Sequence, residues 1–201
     1  PFAMYHVDPD HKEREFLTLD ELTAMTEIKL EDPNMAFARD LFVFGCWTGI
    51  SFIDTKNLTE DKISMINGAP WIVSKRQKTG VPFQVKLMDI PMRIVERYKP
   101  LRKDCHLFNI GRLDTINKRI KKVAAMCGIK KRISYHVSRH TFAVLSLEYG
   151  MPIETVSKIL GHTNITTTQI YAKVTSSKLE HDISAFESRI KGHLPTMGGM
   201  A

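Results

Sequence analysis

The sequence predicts a mainly α-helical fold with a small antiparallel β-sheet of about three strands. Three observations carry that expectation. Apolar residues recur at helical spacing through most of the chain, the spacing changes to alternation over residues 61–87, and turn residues interrupt the alternation twice. A chain of 201 residues suffices for one well-buried core, so a single domain is expected.

Residues 1–15 hold two prolines and a cluster of charges without an apolar period, the pattern of a linker from an upstream domain. The domain is expected over 16–190, with a flexible tail at 191–201. The chain opens on Pro1 rather than Met and reads as a piece of a longer protein. Thr18 and Glu21 have capping-box spacing ahead of Leu19, Leu22 and Met25, which predicts the first helix. A second helix is expected over 35–47, stopped near Gly49. The alternating stretch follows, with Asn67-Gly68 and Lys78-Thr79-Gly80 as its two turns. Helical period then predicts helices at 90–98, 113–127, 136–149, 153–160, 165–172 and 176–190. In the helix at 113–127, positions 113, 116, 120, 123, 124 and 127 form one apolar face, with Lys118, Lys121 and Lys122 largely off it. Lys130, Lys131 and Arg132 continue the positive run.

The 29 Lys and Arg against 22 Asp and Glu give a formal charge of +7, which favours a polyanionic partner over an acidic small molecule. Cys46, Cys105 and Cys127 stand far apart, which argues against a disulfide framework or zinc knuckle and for a reducing cytoplasm. The most apolar stretch, 41–53, is shorter than the span of about 20 helical residues a bilayer needs and is broken by Gly45, Thr48 and Gly49.

The chemistry concentrates near the C-terminal end. His136 and Arg139 are three apart, hence on one side of a helix. Leu160-Gly161-His162 follows, and Tyr171 stands nine residues after His162. Together these supply a proton-transfer group, a fixed guanidinium, a second imidazole and a phenol. Metal-free attack on a phosphodiester needs such a set: a nucleophile that holds the phosphoryl group, and donors around its non-bridging oxygens. Plainer readings stand beside this one. Tyr171 is also a candidate half-buried core residue, His162 a helix cap, and His140 is read as structural. His136 and His162 lack a third ligand at metal-site spacing.

The pattern HxxR, then LGH, then Tyr nine residues beyond resembles the tyrosine recombinase (phage integrase) family over residues 16–190. The resemblance implies a site-specific recombinase or integrase of a mobile element, bacterial, cytoplasmic and DNA-associated. Tyr171 would attack the scissile phosphate, form a 3′-phosphotyrosyl link and release a 5′-hydroxyl, with Arg139, His136 and His162 around the phosphate. No metal, ATP or other cofactor is implied. The family also places a lysine on a turn of its sheet to protonate the leaving 5′-oxygen, and Lys78 matches it, with Lys75 and Lys86 as alternatives. The partner is duplex DNA, contacted by Lys75, Lys118, Lys121, Lys122, Lys130, Lys131 and Arg132. The family's preceding DNA-binding domain would join at 1–15, and its terminal helix, matched by 176–190, docks onto a neighbouring subunit. That implies a homotetramer on DNA and a monomeric isolated fragment.

One position departs from the family. Its TGxR segment here reads Thr48-Gly49-Ile50-Ser51, with Asp54 in the acidic position that follows. A missing transition-state donor costs about 3 kcal/mol. Arg76 is expected to replace it, because strand alternation would put it on the same face as Lys78. Arg39, about 18 Å from Ser51 along a continuous helix, is the competitor. A type IB topoisomerase and a non-enzymatic DNA-binding relative remain as alternatives.

Overall fold

A computed structural model describes residues 15–172 and 176–191. The expected linker and tail, apart from residues 15 and 191, lie outside the described residues. The capping box at Thr18 and Glu21 forms as expected and starts α1 (Leu19–Glu27). Asp32 caps α2 (Pro33–Thr48), with proline in the first turn where no amide partner is lost. This central helix packs against α1, α4 (Asp89–Tyr98), α5 (Leu113–Met126) and α6 (Tyr135–Glu148). Residues 38–46 are therefore all buried, more than a one-sided apolar stripe would require.

The sheet has the order β1 (Ile63–Ile66), β2 (Ala69–Lys75), β3 (Pro82–Lys86), antiparallel throughout. The first turn uses Asn67 and Gly68 at φ 51° and 74°, the left-handed pair that suits a two-residue hairpin. In β2, Ile72 is buried and Ser74 half-buried while Val73 and Lys75 face solvent. In β3, Phe83 and Val85 are buried while Gln84 and Lys86 are exposed. The inner face of β3 meets α7 (Ile153–Leu160).

Three elements differ from expectation. A short helix, α3 (Phe52–Lys56), follows α2 with Ser51 as its N-cap. Ser51 and Asp54 have the spacing that signals such a start. The helix expected at 165–172 contracts to α8 (Thr166–Gln169), and Tyr171 and Ala172 donate to carbonyls three residues back. Consecutive β-branched threonines favour that tightening. On α5 Leu113 is 42% exposed, so the apolar face begins one turn later than expected. The last helix is α9 (Ser176–Ile190). Among the described residues no helix is long and apolar enough to cross a membrane.

Candidate active site

Arg139 lies on the second turn of α6, 6% exposed. Its guanidinium donates from Nη1 to the Gly49 carbonyl at 2.7 Å and from Nη2 to the Leu160 carbonyl at 2.5 Å. Gly49 caps α2 and Leu160 ends α7, so the cation sits on two helix C-termini, where carbonyls are unpaired and the dipole favours positive charge. The Thr48-Gly49 and Leu160-Gly161 segments thus act alike. Each ends a helix in the left-handed region, with φ 68° at Gly49 and 61° at Gly161, and turns a carbonyl toward Arg139. Burial pushes Arg139 down to about 9, Arg76 adds to the effect, and Tyr171 and Asp54 oppose it. It remains a cation at neutral pH.

Ser51 stands where the family pattern has arginine, and its hydroxyl donates to Asp54 Oδ2 at 2.6 Å. Asp54 accepts the Gln77 amide on Oδ1 at 2.8 Å and pairs through Oδ2 with Arg76 Nη1 at 2.7 Å. One buried carboxylate therefore ties α3 to the second hairpin. Arg76 is 15% exposed at its side chain and its stem lies against Gly161, where an added Cβ would come within 2.7 Å of Arg76 Cγ. Glycine is needed there for both space and backbone. Burial pulls the Arg76 guanidinium down and Asp54 opposes it.

Tyr171, half-buried, packs beside Phe142, Ala143, Leu147, Val156 and Leu160. Its hydroxyl and His140 Nδ1 are 2.5 Å apart. His162 follows Gly161 in a Schellman ending, its amide donating to the Ser157 carbonyl at 3.1 Å. Its Nδ1 is 2.8 Å from the Thr168 hydroxyl, so α8 orients the ring. His136 is exposed on the first turn of α6. Asn117 on α5 accepts the Tyr135 amide at 2.7 Å and joins the basic helix to the start of α6.

The other expected residues are placed as follows. Lys78 is exposed within the turn that the Gly80 amide closes on the Arg76 carbonyl. Strand alternation does not reach it: Arg76 faces inward because Ile72 and Ser74 do, and Lys75 and Lys86 face outward. Arg39 is committed elsewhere, bonding Asp40 and the carbonyls of Met25, Thr26 and Ile28. Lys75, Lys118, Lys121, Lys122, Lys130 and Arg132 are exposed. Lys131 is not available in the same way, because its ammonium bonds Glu21 at 2.5 Å and the Phe16 carbonyl at 2.9 Å. Sequence reasoning missed His140, which a signature of conventional roles passes over, and Thr168, whose role appears only when α8 folds back on His162.

Residues 15–178 match the Phage integrase family, and the chain belongs to that family. A tyrosine recombinase XerD from Oceanobacillus iheyensis is 25% identical, over 92% of this chain and 67% of that protein. Among solved structures, the XerH site-specific recombinase bound to palindromic difH substrate superposes with a TM-score of 0.71 at 21% identity, over 88% of this chain and 54% of that one. The catalytic domain of bacteriophage HP1 integrase gives 0.62 at 21%, over 87% and 96%. These structural likenesses establish the fold, that of a tyrosine recombinase catalytic domain. The chain spans about half the length of the XerH chain and about two-thirds of the XerD relative.

Proposed function

We propose that this chain is the strand-cleaving part of a site-specific DNA recombinase or integrase with Tyr171 as nucleophile. The observation that carries the reading is the buried Arg139 guanidinium, fixed by two helix ends, with Tyr171 packed against the cluster that contains Leu160, one of its two anchors. Tyr171 attacks the scissile phosphate and forms a 3′-phosphotyrosyl link. Arg139, His162 and His136 donate to the non-bridging oxygens as charge develops there. Lys78, exposed in the turn between β2 and β3, gives a proton to the leaving 5′-oxygen.

Arg76 fills the place left by Ser51. Its pairing with Asp54 and its electrostatic effect on Arg139 support a second guanidinium at the same phosphate. Duplex DNA is held by phosphate contacts from Lys75, Lys118, Lys121, Lys122, Lys130 and Arg132. Assembly uses α9, where Leu179, Ile183 and Phe186 are 53%, 56% and 61% exposed. These residues recur at helical spacing on one face, which supports docking onto a neighbouring subunit in a DNA-bound tetramer.

A nicked duplex that loses its 5′-hydroxyl fragment after cleavage tests the reading. The full-length protein is expected to form a covalent protein–DNA adduct, and Tyr171→Phe is expected to abolish it while DNA affinity stays within about threefold, since only the nucleophilic oxygen is removed. An adduct that survives Tyr171→Phe overturns the assignment.

A further inference from the structure

A phenol ionises near pH 10, so attack by Tyr171 at neutral pH requires a group that takes its proton. Such a group must lie within hydrogen-bond reach of the hydroxyl. His140 does: its Nδ1 is 2.5 Å from Tyr171 Oη, with the two rings 5.4 Å apart between centroids. The imidazole is 6% exposed. Packing holds the ring in place, because His136 stands edge-to-face against it at 4.3 Å and 80°. A buried imidazole held in contact with the nucleophile has the geometry of a general base.

We propose that His140 accepts the Tyr171 proton during strand cleavage. The inference rests on the strand-cleavage reading above and adds to it a residue first read as structural. As Oη attacks phosphorus, the Oη–H bond breaks and its proton passes to His140 Nδ1, while Nε2 keeps its own. The P–Oη bond forms, the P–O5′ bond breaks, and the 5′-oxygen takes a proton from the Lys78 ammonium. In rejoining, the 5′-hydroxyl returns its proton to the Lys78 amine and the imidazolium returns the other to Oη. Each proton ends where it began, so the cycle consumes nothing.

The test uses the full-length protein and the nicked duplex, with His140→Asn, which keeps a hydrogen-bond acceptor and takes no proton. Adduct formation is expected to slow by about a hundredfold or more with DNA affinity unchanged. Replacing Tyr171 by a ring-fluorinated tyrosine, whose phenol ionises near neutral pH, is expected to raise the rate of His140→Asn by at least about tenfold more than it raises or lowers that of the unmutated protein. Slowing that fluorination leaves untouched would assign His140 to packing alone and overturn the proposal. So would near-normal cleavage by His140→Asn. Nitrogen NMR of the unmutated protein gives a readout independent of the variant's folding. The His140 ring is expected as the Nε2–H tautomer, with an Nδ1 resonance that moves in Tyr171→Phe, and an Nδ1–H tautomer overturns the assignment. If the unmutated protein forms no adduct, the strand-cleavage reading fails and takes this assignment with it. If it forms one and only the His140 results fail, the reading stands without this residue.

Discussion

Arg39, where α1 meets α2, and Arg139, where α6 meets the ends of α2 and α7, are 7% and 6% exposed and are held in different ways. Arg39 pairs with Asp40 at 2.5 Å, and Asp40 also takes Arg97 and the Tyr98 hydroxyl, each at 2.8 Å. The remaining Arg39 bonds close the C-terminal end of α1. Arg139 bonds two carbonyls and, among the described residues, no carboxylate. Its neighbour Arg76 adds a second positive charge whose carboxylate, Asp54, is shared with Ser51 and a backbone amide. Arg39, with Asp40 and the end of α1 as its partners, holds the fold together. A cation fixed by carbonyls alone keeps its geometry while its charge stays available to an anion, which is what a phosphate-binding group requires.

The largest expected effects come from removing each arginine in turn. Arg139→Met should slow adduct formation by about a hundredfold or more, the scale of a lost oxyanion donor, and lower stability by about 1 kcal/mol, since the Gly49 and Leu160 carbonyls lose their donor but no buried charge is left unpaired. Arg39→Met should do the reverse. It should lower stability by about 3 kcal/mol by leaving Asp40 with fewer partners, while the folded fraction cleaves normally. Thermal melts and suicide-substrate yields on the two variants decide this, and equal losses in both measurements would break the comparison.

Arg76→Lys sharpens it at the second guanidinium. A point charge retains a backbone contact but not a bidentate clamp, so DNA binding should persist while cleavage falls about a hundredfold. Asp54→Asn keeps one acceptor oxygen for the Gln77 amide and sets an NH2 donor against Ser51 and Arg76 in place of the charge, so Arg76 loses its partner but not its guanidinium and a smaller loss of about tenfold is expected. Near-normal cleavage by Arg76→Lys would mean the Ser51 position is answered by some other group.

The smallest effects separate Lys131 from its basic neighbours. Removing Lys118, Lys121 or Lys122 should each reduce the salt slope of DNA binding by about 0.9, whereas Lys131→Ala should leave the slope unchanged and lower stability by less than about 1 kcal/mol. Burial alone would raise the Glu21 carboxyl, but the Lys131 ammonium and the Thr18 amide together hold it below the usual 4.5. A lowered carboxyl contributes stability above its unfolded value that disappears as pH falls through the folded one. The difference in melting temperature between wild type and Lys131→Ala should therefore be present at neutral pH and vanish in acid, once the pH has fallen through the lowered Glu21 carboxyl.

Where a signal is local, the amino-acid order was enough. The capping box at Thr18, the alternation of β3, the Asn67-Gly68 turn and the placing of His136 and Arg139 on one side of α6 all depend on neighbours within a turn or a hairpin, and the elements form close to where they were read. The inward face of Arg76 was also legible, although its proper reference is the buried Ile72 in the same strand and not Lys78 beyond the turn. What only the tertiary structure decided are the long-range partners. No spacing rule joins Gly49 and Leu160 through one guanidinium, sets Asp54 on a hairpin 23 residues away, or brings His140 against a tyrosine 31 residues on. Each of those contacts exists because separate helices end or cross at one point. That is settled by how their apolar faces pack, while the polar side chains gathered there must find partners in whatever the packing brings within reach.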